Sequence, residues 1–411
     1  MKKLLLPLLA AVLCSSQASA WGFFGHRIIN QVAVYELPGA MQPFYYRHLN
    51  EIVRQSTAPD ERRNADPTEG PKHFIDMDHY SEDNPFGKLP REYDKAVEKY
   101  SADTLKKYGT VPWVVMEMKD NLVQAFRDKD TLAIIKFSAE LGHYVGDAFV
   151  PLHTTINYDG QLTDQKGLHS LWESQLPERF ILDYKLLDDK PTAQYIKDPL
   201  NSIWTVIQQS YGFLGETFDR ATKIEKTMPP TVRFTYSHRY GKTQRRYSDA
   251  FADAYEKAVG GMVNYRLKGA PTLVSSLWFT AWQEAGKPDL NALMHPTKPS
   301  KDEKEKLTTE LAAWKKNTLA QDQLLLAQQK TKKAETPDEI KAAKEMAPTQ
   351  APEPEAEPAP APAPAGETAA PAATPGAEPS AEPSKVKVKT KGKDGSEKRK
   401  EKKQEAAPSG W

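Results

Sequence analysis

The stretch "TLAIIKFSAELGHYVGDAFVPLH", residues 131–153, constrains this chain more than any other. Its apolar residues recur at helical spacing and are dense enough for a largely buried helix. Near its end it carries His143 and Asp147, four residues apart. On a helix such residues share a face, so an imidazole and a carboxylate can grip one ion together. Pro151 ends the helix, and His153 follows at once in the loop.

The device recurs. "GLHSLWE" places His169 and Glu173 four apart, "HFIDMDH" offers His73, Asp76 and Asp78, "APDERR" offers Asp60, and "WGFFGH" offers His26. One histidine–carboxylate pair on a helix is ordinarily a surface hydrogen bond. Two such pairs, joined by a loop with a third histidine, read as a metal site. Imidazole and carboxylate without thiolate suit zinc in a hydrolytic centre.

The surrounding pattern is helical. "MQPFYYRHLNEIVRQ" puts Tyr45, Leu49, Ile52 and Val53 on one side, and "VPWVVMEMKDNLVQAF" opens with Pro112. "PTLVSSLWFTAWQEAG" has Pro271 at its start and Gly286 at its end, a start and a stop signal. Strict strand-type alternation is scarce, so the expected fold is all-α, one globular helical domain with long loops.

Four segments follow from composition. Residues 1–20 have Lys2 and Lys3, an apolar run from Leu4 to Leu13 and Ala18-Ser19-Ala20, which read as a signal peptide. Cys14, the only cysteine, lies inside it, and Leu13 is too bulky for the position before a lipoprotein anchor. The processed chain is therefore expected to be exported, periplasmic or secreted, free of disulfides and without a membrane span. Residues 21–288 form the globular part. Residues 289–345 read as a charged linker that can be helical. Residues 346–411 read as a disordered tail, rich in Pro, Ala and Glu and then in Lys. Net charge is +1, so the whole molecule is no general polyanion binder. The basic block "KVKVKTKGKDGSEKRKEKK" is either solvated or contacts an anionic surface.

Taken in order, a tryptophan after the cleavage site, His26, Asp60, His73, "HYVGDAFVPLH" and His-x-x-x-Glu resemble the superfamily of S1/P1 nucleases and bacterial zinc-dependent phospholipases C. The resemblance covers residues 21 to about 288. It implies a helical fold with a trinuclear zinc cleft. One zinc would take Asp60, His73, His143 and Asp147, with Asp66 competing for the place of Asp60. A second would take the amino nitrogen and carbonyl oxygen of Trp21, with His26, and share Asp147. The third would take His153, His169 and Glu173. Removal of residues 1–20 would turn the Trp21 nitrogen from an amide, a very poor ligand, into an amine.

Such a centre implies phosphodiester hydrolysis by attack of a zinc-bound hydroxide on phosphorus. Asp60 would orient the water or act as base, and Arg63 would meet the phosphoryl charge. Phe74 and Asp76 match residues that hold a base in the nucleases. Glu173, where the nucleases carry Asp, a short loop between His153 and His169, and "LVSSLWFTAW" lean toward a phospholipase C. A single-strand nuclease is the alternative, and a zinc-binding exported protein without activity is a further one. A phosphodiester, phospholipid or single-stranded nucleic acid, is the expected partner, and the protein is expected to be a monomer.

Overall fold

The computed structural model describes residues 21–239, 242–295 and 298–329. The signal segment, residues 330–345 of the linker and the whole tail lie outside the described residues. Among those described, helices dominate, and one two-stranded antiparallel hairpin is present. The longer helices are α1 (Gly22–Tyr35), α2 (Val111–Asp128), α3 (Thr131–Ala148), α4 (Pro199–Gly212) and α5 (Leu214–Thr227). The hairpin, β1 (Phe234–Arg239) and β2 (Lys242–Tyr247), follows, then α6 (Asp249–Glu284) and α7 (Lys301–Lys315).

α2 and α3 form an antiparallel pair because the sequence between them stops one helix and starts the next. Lys129 takes the left-handed conformation, with φ 57°, and closes α2. Asp130 then accepts from the Leu132 and Ala133 amides at 3.0 and 3.1 Å, an N-cap that stabilises α3 by about 1 kcal/mol. α3 is buried from Ser138 to Ala148 without a break, and α1, α2 and α6 cover it.

Two expectations differ from what forms. Pro271 does not begin a helix; it lies inside α6, which runs for 36 residues. Proline costs one backbone bond and a clash in a helix interior. Here buried Leu267, Ala270, Val274, Leu277 and Trp278 hold both halves in line against the core. The stretch "MQPFYYRHLNEIVRQ" is not continuous either, because His48 (φ −98°, ψ 12°) divides it into Gln42–Arg47 and Leu49–Gln55. Composition also gave no sign that residues 289–329 would pack. Yet Trp314 and Leu325 are buried, and the Tyr35 hydroxyl donates to buried Glu310 at 2.9 Å.

Candidate metal centre

α3 supplies the axis of the site. His143 and Asp147 are fully buried on one face of it. The His143 Nδ1–H donates to the Ser56 carbonyl at 2.8 Å, which turns Nε2 inward. That nitrogen lies 3.4 Å from Asp147 Oδ2 and 3.0 Å from His73 Nδ1. His73 Nδ1 is itself 3.0 Å from Asp147 Oδ2 and 3.7 Å from Asp60 Oδ1. From α1, His26 stacks on the His143 ring at 3.9 Å and brings Nε2 to 3.3 Å from Asp147 Oδ1. Two overlapping ligand groups result, His73–His143–Asp147 and His26–Asp60–His143.

Beyond α3, Arg266 governs where the chain goes next. This fully buried side chain donates to the Phe149 carbonyl at 2.9 Å, the Val206 carbonyl at 3.1 Å and Ser210 Oγ at 2.6 Å. Ser210 in turn donates to the Ala148 carbonyl at 2.6 Å. The cation sits at the negative end of the α3 dipole and fixes the turn leading to His153. There the Nδ1–H of His153 donates to the His73 carbonyl at 2.5 Å, and Ile75 returns a bond to the His153 carbonyl at 2.9 Å.

His153 belongs to a separate group with His169 and Glu173. The two Nε2 atoms face each other at 3.1 Å, and Glu173 Oε2 lies 2.8 Å from His169 Nε2 and 3.6 Å from His153 Nε2. Glu173 stands in a π-helical turn, Leu171–Gln175. Such widened turns are common at functional sites. The Trp21 nitrogen donates to Glu173 Oε2 at 2.8 Å. Its indole is fully buried, donates to the Gly146 carbonyl at 2.7 Å and packs 5.1 Å from Trp172. Gly22 follows with φ +39°, where an added Cβ would collide with the Ser174 hydroxyl.

The donor set fits cations. His26 Nε2 and Asp147 Oδ1 face each other without the alignment of a hydrogen bond, and neither atom has a hydrogen-bond partner among the described residues. Glu173 Oε1 and His169 Nδ1 share that condition. Buried polar atoms are rarely left so. Burial, with the neighbouring His26, drives the His143 pKa down to about 3, and burial drives that of His169 down to about 4. Both are neutral at pH 7, with lone pairs to donate. Burial opposes charge on Asp147, but His143, His26 and His73 outweigh it and hold its pKa well below the usual range. Burial pushes Glu173 up to about 7, so this carboxylate wants a positive neighbour.

Asp60 sits inside the cluster, whereas Asp66 is turned away onto the Thr68 amide and hydroxyl at 2.8 and 2.7 Å. Arg63 Nη1 lies 3.5 Å from Asp60 Oδ1. Phe74 is half-buried beside Gly109. Asp76 is buried and its pKa is pushed up to about 7 by burial and by Asp78. Asp78 accepts from Thr155 and the Ile156 amide and so ties the loop after His153. Sequence reasoning passed over Glu69. It lies fully buried 3.5 Å from His73 Nε2, receives Arg62 and Lys72 at 2.8 and 3.1 Å, and is bonded by the Tyr144 hydroxyl. Its spacing from His73 is the same four residues as in the other pairs, a signal that was available.

A helical domain with three converging histidine–carboxylate groups defines a candidate metallohydrolase. The sequence model of the S1/P1 Nuclease family matches residues 21–272, from the first described residue well into α6. The chain belongs to this family of phosphodiester hydrolases. No curated protein matches it.

Proposed function

We propose that this protein is an exported single-strand nuclease that works with three zinc ions, completed when cleavage before Trp21 frees its amine. The observation that carries the reading is the coincidence of the family match with the three buried ligand groups. Asp60, His73, His143 and Asp147 would hold one ion. His26, Asp147 and the Trp21 terminus would hold the second, and His153, His169 and Glu173 the third. Zinc bound there would lower the pKa of water and polarise a phosphoryl oxygen.

The chain's own residues set the rest. The Asp60 carboxylate has its pKa lowered, because His143, His26 and His73 together outweigh the effect of burial. It is therefore a carboxylate at neutral pH and can orient a water, though the lowered pKa makes it a weak base. Arg63, 3.5 Å from it, would meet phosphoryl charge in the transition state. Half-buried Phe74 offers a ring face, which suits an unpaired base. The full burial of His73, His143 and Asp147 excludes bulk water around them and strengthens each of these charges.

A phospholipase C reading rests on Glu173, a longer carboxylate than the nucleases carry. The test is the processed protein, starting at Trp21 and loaded with zinc, assayed on single-stranded DNA and RNA and on phosphatidylcholine vesicles, with Glu173→Ala as control. Nucleotide release lost in the control supports the proposal. Phosphocholine release with intact strands overturns it in favour of the phospholipase. Zinc uptake without turnover on either substrate rejects both.

A further inference from the structure

We infer that the 156–167 loop and the β1–β2 hairpin form a track for single-stranded nucleic acid, leading away from the His153–His169–Glu173 group. The inference rests on the nuclease reading and extends it from one bond to the strand beyond. The track starts at Tyr158, which is 44% exposed and has its ring 6.2 Å from that of His169. Lys166 follows, its side chain exposed. Arg245, also exposed, donates to the Lys166 carbonyl at 3.2 Å and lies over the Phe234 ring at 4.1 Å. Across the hairpin Arg245 pairs with Tyr236, which is 38% exposed.

The hairpin is fixed to the site and not merely near it. Tyr247 is buried against Phe251 at 4.3 Å, and Gln175, in the turn that carries Glu173, donates to the Tyr247 carbonyl at 3.2 Å. From residue 227 to residue 248 the chain has five Arg and Lys and no Asp or Glu. In the loop, Asp159 is turned inward and accepts from the Gly167 amide at 3.0 Å. Two cations, Lys166 and Arg245, therefore lie between two tyrosine faces along one rim, with Asp164 exposed in the same loop.

That extended arrangement suits a polymer. A lipid headgroup presents one phosphodiester, which the metal groups would already occupy. A nucleic acid strand continues with a charge and a base face at every step, so it can meet both cations and the rings on either side of them. The same loop exposes Leu162, so an anionic membrane is the competitor to be tested.

The experiment uses the zinc-loaded processed protein, Arg245→Gln/Lys166→Glu, and Lys166→Glu alone, whose exposed side chain can change without touching the hairpin's packing. Binding of a fluorescent oligothymidylate on the order of 15 nucleotides long is followed against salt. The double variant is expected to bind about tenfold more weakly, with a salt slope shallower by about 1.4, two cations at about 0.7 each. Its kcat/KM should fall at least about tenfold more on the oligomer than on a dinucleoside phosphate. An unchanged slope overturns the track, as does loss of phosphatidylglycerol-vesicle binding with strand binding intact. Failure of the wild type to hydrolyse either nucleotide substrate would sink the nuclease reading instead. The slope comparison would still decide the track, a shallower slope upholding it and an equal one rejecting it.

Discussion

The two halves of the metal centre are built differently. Around His73, His143 and Asp147 the two imidazoles have partners behind them: His143 bonds the Ser56 carbonyl, and His73 faces Glu69 at 3.5 Å, itself held by Arg62, Lys72 and Tyr144, while Asp147 Oδ1 and His73 Nε2 lack a hydrogen bond among the described residues. Around His153, His169 and Glu173 the backing is thinner. His169 Nδ1 and Glu173 Oε1 have no hydrogen-bond partner among the described residues, and the loop beside them exposes Tyr158. Ligands with fixed outer partners keep their orientation without a cation, whereas ligands without them depend on one. Both halves hold one histidine on a backbone carbonyl, and the first half is the more preorganised because a buried charge network stands behind His73.

The sharpest way to break that comparison is to delete one carboxylate from each half. Asp147→Ala should reduce phosphodiester hydrolysis by more than about 10³-fold, since Asp147 touches three imidazoles and would serve two ions. Glu173→Ala should lose one ion and retain the others. Metal content by mass spectrometry checks both. Equal metal loss in the two variants would mean that the halves are not separate.

Arg266→Met tests the joint between them. It strips the turn after α3 of its buried donors and leaves the Phe149 carbonyl and Ser210 Oγ without the guanidinium, at a cost of roughly 3 kcal/mol. Thermal unfolding should show a fall on the order of 10 °C. Where the variant still folds, the His153 group should lose metal before the His143 group does. Simultaneous loss would show that Arg266 only supports the fold.

Glu69→Gln is subtler. It keeps shape and removes the charge behind His73, so metal affinity in the preorganised half should drop by about 10- to 100-fold. A chelator titration reads this directly. The Glu173 half should be unaffected, and an equal drop there would remove the distinction between the halves.

Much of this was legible in the sequence, for reasons that particular residues make plain. His143 and Asp147 could be paired because helical spacing is regular, and His153 could be placed because Pro151 must end the helix. The helical fold followed from the same periodicity. Partner assignment was less legible, since it depends on long-range packing. The contact of the Trp21 nitrogen with Glu173 was not foreseen, because it comes from the indole buried against Gly146 and Trp172. Pro271 was read as a helix start, and tertiary burial overrode it. The hairpin escaped notice because its strands, "FTYSHR" and "KTQRRY", lack the apolar alternation of a half-buried sheet.

The smallest effect comes from a buried carboxyl outside the site, and it sharpens the comparison by serving as its control. Glu36 is 2% exposed, accepts from Ser275 and Thr272 at 2.8 and 3.1 Å, and is pushed by burial up to about 8. Its folded pKa lies above the unfolded value, so the folded state holds the extra proton between about 4.5 and about 8. Stability from this group is full below that window and is lost as pH rises through it. Glu36→Gln keeps the shape and cannot ionise. It should raise the melting temperature by a few degrees at pH 9 and change it little at pH 4. Glu173 is pushed up by the same physics. The Glu36→Gln difference then isolates this group from Glu173 and the other buried carboxyls, and a trend identical to the wild type's would show that Glu36 is already ionised in the fold.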